Sequence, residues 1–391
     1  MNKKQVIKAV FRDLICYYAL PSAMYRCQFS MSAKIEVPIS GEAQDKQPDL
    51  RKTGAHPDYW YPIISSHRVK PGKAVGVTFA GEPVVIVRSE SGRIFALEDR
   101  CAHRQVPLSQ GVVDGENIQC CYHGWVYDCE GKCVNIPYVG KAEAIPRGVR
   151  HYPCREDYGF VFIFPGEASK AETVPFPDVP AWHDPKYKTR VLDDKVGCHY
   201  SFLHENLMDM NHQFLHRRIM SKIKTTFLGL RENEDSVEVD YTFSREGKQP
   251  MGEKVMLGKR GEATEEKPKD LMTVTTCYPY QVLKFWTAGA DHPALDLWIT
   301  YVPVDAEQRI NHTFGLINVR RPDVPLLLDI AWPFIIYFTN GIFAEDRWVV
   351  EMEQAAFDAQ GEDWNQEIFP VVQAVRNLLI EKGVPIPAYE N

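Results

Sequence analysis

The sequence has no dense run of basic residues, and its 45 lysines and arginines are outnumbered by 52 acidic residues, giving a formal net charge of −7. Proteins that bind nucleic acid through the phosphate backbone normally carry clustered basic side chains. Nucleic-acid binding is therefore not expected. Apolar residues make up 45% of the 391 residues, which is the usual share in a soluble globular enzyme.

The sequence also lacks a convincing export signal. Residues 1–27 begin with two lysines soon after Met1, but Arg12 and Asp13 interrupt the apolar stretch that follows. A secretory signal has a continuous apolar core instead. We interpret this segment as a helical or disordered extension.

Only residues 324–343 approach the roughly 20-residue length of a membrane-spanning helix. Asp329 and Pro333 lie inside this stretch, and a carboxylate at bilayer depth is costly. A buried helix beside an apolar pocket is the favoured interpretation. Spanning and peripheral membrane contact are the alternatives.

Residues 59–166 contain strand-forming runs separated by turn-forming residues such as Ser91-Gly92. The runs cover residues 74–79, 83–88, 93–97 and 159–164. They predict an all-β domain, preceded by a loose N-terminal extension over residues 1–58. A proline-rich connector near residues 175–185 marks the end of this domain.

Residues 167–391 mix both kinds of element. Strands are predicted at 237–243, 272–277, 282–286, 295–302 and 312–319, and helices at 201–220, 344–357 and 367–382. Strands followed by helices predict an antiparallel sheet flanked by helices, so the fold class of the whole chain is α+β.

Five of the ten cysteines lie between Cys101 and Cys133. A disulfide scaffold is normally a shorter chain with cysteines spread throughout. Clustering beside His103 and His123 therefore favours metal binding in a reducing compartment, and we expect a cytoplasmic location.

The first candidate site pairs Cys101-Ala-His103 with Cys120-Cys121-Tyr122-His123. Each half offers one thiolate and one imidazole. A Rieske [2Fe–2S] cluster needs two cysteines on one iron and two histidines on the other, which this pattern supplies. Zinc is the competing interpretation, but a C-x-H pair is too closely spaced for the usual zinc site.

The second candidate site lies within the predicted helix 201–220. On a regular helix, Asp209, His212 and His216 share one face with Glu205 and Asn206. Two histidines and one carboxylate form the facial triad of non-haem Fe(II) oxygenases. The carboxylate must come from Asp209 or from elsewhere in the chain. His199 and His204 are alternative imidazole ligands.

The segments CAHRQVPLSQG and CCYHGWVYDCEGKC resemble the two Rieske loops of ring-hydroxylating and demethylating oxygenase α subunits. Gln105 stands where the family usually has glycine, and Cys121 where it usually has proline. Neither position is a ligand, and the C-x2-H register favours Cys120 over Cys121. The segment N-x2-D-x2-H before His216 is also similar, although the family usually has four residues between the histidines and this chain has three.

The resemblance implies a ligand set and an electron route. It implies that Asp346, in FAEDRWVVE, is the third iron ligand, with Glu345 as the alternative. It implies a head-to-tail homotrimer, in which Asp209 joins His212 to His123 of the neighbouring subunit. Glu205 and Asn206 are further candidates for supporting the iron ligands.

The resemblance also implies an oxygenase that hydroxylates or oxidatively demethylates an aromatic or hydrophobic substrate. Because no dinucleotide fingerprint follows a strand, a separate NAD(P)H-dependent reductase or ferredoxin is expected. Ring cis-dihydroxylation and a pure Rieske electron carrier are the alternatives. Six aromatic residues are candidates for an apolar substrate pocket, although ordinary core packing is the favoured interpretation: Phe285, Trp286, Trp332, Phe334, Tyr337 and Phe338.

Overall fold

The computed structural model describes residues 49–139, 148–220, 222–245, 249, 253–254 and 270–387. The predicted extension over residues 1–27 lies outside this part of the chain. Among the described residues, the N-terminal part is built from strands. They are β1 Thr53–Gly54, β2 Tyr61–Ser65, β3 Lys73–Phe79, β4 Glu82–Arg88, β5 Ile94–Glu98, β6 Val112–Asp114, β7 Asn117–Gln119, β8 Val126–Tyr127, β9 Cys133–Asn135, β10 His151–Tyr152, β11 Cys154–Asp157 and β12 Phe160–Ile163.

Strands β2 to β12 form three small antiparallel sheets, ordered β10-β5-β4-β3, β11-β12-β2 and β6-β7-β8-β9. A tight hairpin joins β3 to β4, where Ala80 and Gly81 adopt positive φ, and Gly92 of the predicted Ser91-Gly92 turn also has positive φ. The predicted strands at 74–79, 83–88, 93–97 and 159–164 are confirmed. The two candidate cluster loops lie between β5 and β6 and between β7 and β8.

The C-terminal part contains one large sheet and several helices. The strands are β13 Tyr187–Val196, β14 Ile223–Asn233, β15 Ser236–Arg245, β16 Leu271–Cys277, β17 Tyr280–Trp286, β18 Leu295–Pro303, β19 Asn311–Arg320 and β20 Val384–Pro385. The α-helices are α1 Pro180–His183, α2 Tyr200–Met208, α3 Arg217–Met220, α4 Leu327–Gln360 and α5 Pro370–Lys382. Seven of the strands form an antiparallel sheet in the order β13-β19-β18-β17-β16-β15-β14. The predicted antiparallel sheet flanked by helices is confirmed.

The two faces of the large sheet bury different partners because side chains alternate along each strand. Leu297 and Ile299 of β18 face the helices α2, α4 and α5. Trp298, between them, faces the N-terminal strands and packs with Phe162 of β12. The sheet therefore lies between the helical layer and the N-terminal β-domain.

The predicted helix over residues 201–220 is not continuous, because the α-helix ends at Met208 and resumes only at Arg217. The chain leaves the helical conformation at Asp209, with φ −95° and ψ 87°, and continues as a 3-10 helix over Met210–Phe214. The carboxylate of Asp209 accepts a hydrogen bond from the Asn211 amide at 2.8 Å. Aspartate side chains that bind nearby amides compete with continuation of an α-helix, which explains the break.

Residues 49–54 are ordered against the C-terminal part of the chain. Leu50 is fully buried in the core of the large sheet, and β1 pairs with β20 near the C-terminus. This differs from the loose lead-in that the sequence predicts up to residue 58. The domain boundaries themselves stay predictions.

The apolar stretch 324–343 lies mostly in α4, and this helix is long and apolar enough to cross a membrane by length and composition alone. One stripe of the stretch, including Leu328, Ile335 and Phe338, packs on the core. Asp329 forms ion pairs with Lys188 at 2.6 Å and with Arg321 at 3.0 Å. The stretch is thus a helix with one buried face, so the predicted buried helix holds for that face, while the opposite face is exposed.

Candidate functional site

The two candidate thiol ligands, from the β5–β6 loop and the β7–β8 loop, are brought together. Cys101 and Cys120 are both buried, whereas Cys121 is exposed. Burial raises the pKa of the Cys120 thiol, and its hydrogen bond with Cys101 raises it further. The structure thus places Cys120, and not Cys121, beside Cys101.

The two candidate imidazole ligands also lie together. The ring centroids of His103 and His123 are 4.6 Å apart. The ring of Trp125 stacks on His103 at 4.8 Å, with an interplanar angle of 5°. Nδ1 of His103 is buried and has no hydrogen-bond partner. An unsatisfied buried ring nitrogen is costly unless a metal takes it, so this atom fits a ligand position.

Glycine and glutamine occupy two tight turns of these loops. Gly124 has φ +71°, and a Cβ there would lie 3.0 Å from Cγ of Pro137, so glycine is required for close approach. Gln105 has φ +61°, a conformation that glycine adopts more readily. The departure of Gln105 from the family pattern therefore places a strained residue in the first loop.

The donor set of the two loops matches one type of cluster. Each loop contributes one buried thiol and one imidazole, which is the ligand composition of a Rieske [2Fe–2S] cluster. The residues present thus fit this group.

His212, His216 and Asp346 form a second group of metal-binding side chains, with one ligand atom of each within 4.8 Å of the other two. Oδ1 of Asp346 lies 3.2 Å from Nε2 of His216 and 3.9 Å from Nε2 of His212. This buried oxygen accepts no hydrogen bond of good geometry. Two imidazoles and one carboxylate oxygen around a common point suit a mononuclear iron with open positions.

A second pair of contacts orients the two imidazoles. Nδ1 of His216 lies 2.9 Å from Oε2 of Glu345, and Nδ1 of His212 lies 2.5 Å from the main-chain oxygen of Asp209. With the proton on Nδ1 in each ring, Nε2 is free to bind a metal. Glu345 therefore supports His216 from behind, which favours Asp346 as the carboxylate ligand.

The charges around the two rings shift their pKa values in opposite directions. Burial disfavours the charged form of His216, but the neighbouring carboxylates of Asp346 and Glu345 outweigh burial and raise its pKa. Burial dominates at His212 and lowers its pKa.

The break at Asp209 changes how these ligands are presented. His212 lies in the 3-10 helix and His216 follows it, so the two do not share one face of a regular α-helix as predicted. Their ring centroids are nevertheless 5.1 Å apart, and the rings are almost perpendicular, at 82°. Asp346 lies on α4, far from the two histidines in sequence. The residue spacing alone does not show that α4 packs beside them.

The remaining candidates lie outside this group. His199 and His204 are buried, and burial lowers the pKa of both. His199 contacts the hydroxyl of Ser201 at 2.6 Å, and His204 packs edge-on against Tyr301. Neither belongs to the described group of mutually close ligand atoms.

The side chains of Asp209 and Glu205 form hydrogen bonds and ion pairs with residues outside the metal-binding group. The carboxylate of Asp209 accepts hydrogen bonds from Asn211, and its contact with His212 comes from the main chain instead. Glu205 forms ion pairs with the buried Arg51 at 2.8 Å and with Arg376 at 3.1 Å. This network links α2 to residues near both ends of the described chain.

A cavity of about 240 Å³ adjoins Asp346. Its wall is formed by Leu192, Asp194, Val196, Leu203, Asn206, Leu207, Ile299, Tyr301, Thr313, Asn340, Phe343, Ala344, Asp346 and Arg347. None of the six aromatic residues considered as pocket candidates lines this cavity. Phe285 and Phe338 are buried core residues, and Tyr337 is exposed. One signal could have found part of the wall, because Asn340 and Phe343 precede Asp346 on its own helix.

Two parts of the chain match known protein families. Residues 59–153 match the Rieske [2Fe-2S] domain family, and residues 196–374 match the vanillate O-demethylase oxygenase C-terminal domain family. The 4beta-methylsterol monooxygenase of Methylococcus capsulatus is 30% identical over 350 residues, covering 85% of this chain and 90% of that protein. The oxygenase component of dicamba O-demethylase from Stenotrophomonas maltophilia is 36% identical, but over 37% of this chain and 43% of its own length.

Solved structures show the same fold. Dicamba monooxygenase bound to dicamba aligns with a TM-score of 0.67 at 21% identity, covering 83% of this chain and 96% of that one. NdmA of Pseudomonas putida CBB5 with caffeine aligns with a TM-score of 0.64 at 20% identity, covering 83% and 89%. With the two family matches and the full-length relative, these alignments show that the chain belongs to the Rieske non-haem iron oxygenases, enzymes with a [2Fe–2S] cluster and a mononuclear iron.

Proposed function

We propose that this enzyme is a monooxygenase that hydroxylates or oxidatively demethylates a hydrophobic substrate in the cavity beside Asp346. The observation that carries this proposal is that Asp346 belongs both to the metal-binding group and to the cavity wall. A substrate in the cavity is therefore held next to the residues that would bind iron. When bound, the iron supplies O2 activation, and the Rieske cluster supplies the electrons for it.

The proposed iron ligands are His212, His216 and Asp346, and the proposed cluster ligands are Cys101, His103, Cys120 and His123. Support comes from the short distances within each group and from the orphaned atoms of His103 and Asp346. Glu345 and the main-chain oxygen of Asp209 keep the imidazole rings in one orientation. The buried position of His216 limits the access of water to this side of the site.

The cavity favours a mainly apolar substrate with one polar end. Seven of its residues are apolar: Leu192, Val196, Leu203, Leu207, Ile299, Phe343 and Ala344. Asp194, Asn340 and Arg347 supply polar groups that could orient a hydroxyl or carboxylate. We propose a ring-containing substrate with a methyl substituent, which agrees with the methylsterol monooxygenase and O-demethylase names of two relatives.

Electrons are proposed to come from a separate reductase or ferredoxin and to cross between subunits of a homotrimer. Asp209 is half-buried and contacts His212 through its main chain, so its carboxylate can point towards a neighbouring subunit. On the Rieske domain, the ring of Tyr122 beside His123 is exposed, as a docking edge requires. Asp209 would then hold a proton between the two histidines.

Product analysis under labelled O2 tests the proposed reaction. The enzyme, a surrogate reductase and NADH are incubated with a panel of methylated sterols and O-methyl aromatic acids. One labelled oxygen atom in the product, or formaldehyde release from a demethylated substrate, is expected. A cis-diol with two labelled atoms would replace the monooxygenase assignment with a ring dioxygenase.

A matched pair of variants tests the cavity itself. Ala344 lines the cavity, so Ala344→Phe should place a bulky side chain in the space meant for substrate. We expect kcat/KM to fall at least about tenfold while iron content is unchanged. Ala355→Phe places the same side chain at an exposed position of the same helix and should leave kcat/KM unchanged. Equal activity of the two variants would show that substrate binds elsewhere.

A further inference from the structure

An exposed apolar surface covers the beginning of α4 and the turn before it. We define this apolar patch by its exposed members Val324, Leu326, Leu327, Ile330 and Tyr337. Ile330 and Tyr337 are seven residues apart and therefore lie on the same side of the helix. Pro322, Pro325 and Pro333 are also exposed and extend the same surface.

The apolar patch is separate from the face that α4 buries. Leu328, Ile335 and Phe338 point to the core, so the fold uses one apolar side of the helix and leaves the other to solvent. Soluble monomers rarely expose a contiguous apolar surface of this kind without a binding role. We therefore expect the apolar patch to contact a binding partner.

Leu326, in the apolar patch, has an unfavourable backbone conformation. Its backbone has φ +62°, a left-handed conformation that is unfavourable for a residue with a branched side chain. Its side chain is 69% exposed. The positive φ and the exposure of an apolar side chain are both unfavourable for Leu326 in a protein that binds nothing at this surface. Backbone strain of this kind is typical of functional positions.

The charges beside the patch identify the chemistry of the partner. Segments 186–190 and 320–330 meet at the paired ends of β13 and β19, where the Arg321 amide binds the Lys186 carbonyl oxygen. These segments carry five basic residues and two acidic ones, in a chain whose net charge is −7. They are Lys186, Lys188, Arg190, Arg320 and Arg321, with Asp323 and Asp329.

The acid nearest the helical part of the patch is neutralised. Asp329 is paired with Lys188 at 2.6 Å and with Arg321 at 3.0 Å. An apolar surface bordered by excess positive charge is complementary to the interface of an anionic lipid bilayer.

We propose that the apolar patch is a peripheral membrane-binding surface that inserts into the interface of an anionic bilayer. Leu326 and Ile330 enter the boundary between headgroups and acyl chains, and the neighbouring basic side chains contact lipid phosphates. The helix does not cross the bilayer in this arrangement, because its opposite face and Asp329 are held by the protein core and strand β13.

The apolar patch lies close to the cavity along α4, which suggests that membrane binding brings substrate to the enzyme. This part of the proposal rests on the proposed function. Asn340 and Phe343 of the cavity wall follow Tyr337 by three and six residues on α4. At a rise of about 1.5 Å per residue, they lie roughly 5–9 Å further along the helix axis. A hydrophobic substrate dissolved in the bilayer would therefore reach the cavity along α4.

Vesicle co-sedimentation of the full, metal-loaded protein tests this proposal without any turnover. We expect binding to phosphatidylcholine vesicles that contain about 30% phosphatidylglycerol, and markedly weaker binding to phosphatidylcholine alone or at high salt. Because no substrate is involved, failure of the proposed oxygenase reaction would not affect this result. A wild-type protein that stays in the supernatant with both vesicle types would overturn the proposal.

Two matched isoleucines supply the critical comparison. Ile330→Asp should lower vesicle binding at least about tenfold, because it places a charge in the inserted surface. Ile368→Asp is the control, since Ile368 is 71% exposed and Ile330 is 73% exposed, but Ile368 lies just before α5. Equal binding of the two variants would overturn the proposal.

Leu326→Gly gives a variant that should fold at least as well as the wild type. Glycine relieves the strain at φ +62°, so the melting temperature should be unchanged or higher while vesicle binding falls. Sedimentation velocity of the same variants detects the other possible occupant. If Ile330→Asp dissociates an oligomer that Ile368→Asp retains, the patch is a contact between copies of the chain, and membrane binding is contradicted.

Discussion

Glu345 lies 2.9 Å from Nδ1 of His216, while the other ring nitrogen of His216 lies 3.2 Å from Asp346. Consecutive carboxylates on one helix thus contact the two nitrogens of one imidazole. The arrangement gives Glu345 and Asp346 different tasks, because one carboxylate orients the ring and the other faces the common point of the metal-binding group.

Glu345→Gln keeps a hydrogen-bonding side chain but removes its charge. We expect the affinity for Fe(II) to fall by about tenfold to a hundredfold, the usual effect of losing a partner of a ligating histidine. The Rieske absorption should not change. Competition of a chelator for Fe(II) measures the affinity, with the exposed Glu307→Gln as the control. Unchanged affinity would show that the Glu345 contact does not support the iron.

Asp209→Asn separates the carboxylate from the main-chain contact at the same residue. Asparagine can still bind the Asn211 amide, and the main-chain oxygen still contacts His212. We therefore expect both metal centres to be retained while product formation falls at least about a hundredfold, because the proposed charged bridge between subunits would be lost. Metal analysis and single-turnover product yield provide the test. Wild-type product yield with intact iron would refute the bridge.

Cys120 and Cys121 are adjacent but differ in burial. Cys120→Ser should abolish the visible spectrum of the Rieske cluster, because serine does not replace a buried thiolate ligand well. Cys121→Ser should keep the spectrum and the cluster iron. Loss of the spectrum in the Cys121 variant alone would reverse the ligand assignment.

Asp193 links the N-terminal domain to the large sheet. Its carboxylate accepts a hydrogen bond from Ser65 and lies 2.6 Å from Nε2 of His312. Burial opposes its ionisation, but His312, Ser65 and Arg68 outweigh burial and lower the pKa of Asp193 to about 2.

Because the folded-state pKa of Asp193 lies below the ordinary value of 3.8, its stabilising contribution is fully present above pH 3.8 and is lost as the pH falls towards 2. Asp193→Asn should therefore lower the free energy of unfolding by about 1 kcal/mol at pH 7. The loss should shrink below pH 3.8. Denaturant unfolding of metal-free protein at pH 7 and at pH 3 measures it, and an equal loss at both pH values would contradict the ionic explanation.

The sequence predicted the local features of the fold well. Alternating runs at 74–79 and 83–88 are strands, and the spacing around Cys101 and Cys120 indicates the paired ligands. These signals are short-range, because each depends on neighbours within a few residues. The helix prediction for 201–220 failed because helical periodicity does not register the competing hydrogen bond of Asp209 with Asn211.

Long-range packing was harder to predict. Asp346 was expected at the iron only from the family resemblance, since nothing in the residue spacing shows that α4 passes beside His216. The position of the cavity also depends on long-range packing. Phe338 is a core residue, as the sequence favoured, whereas the wall of the cavity is set by which face of α4 meets β13 and β18.

The most direct test of the two-centre account is iron analysis combined with the visible spectrum, for the wild type and for His212→Ala. We expect about three iron atoms per wild-type chain and about two in the variant, with the same Rieske absorption in both. Zinc in place of iron, or a variant that loses the Rieske absorption, would contradict the assignment of His212 and His216 to a separate mononuclear iron.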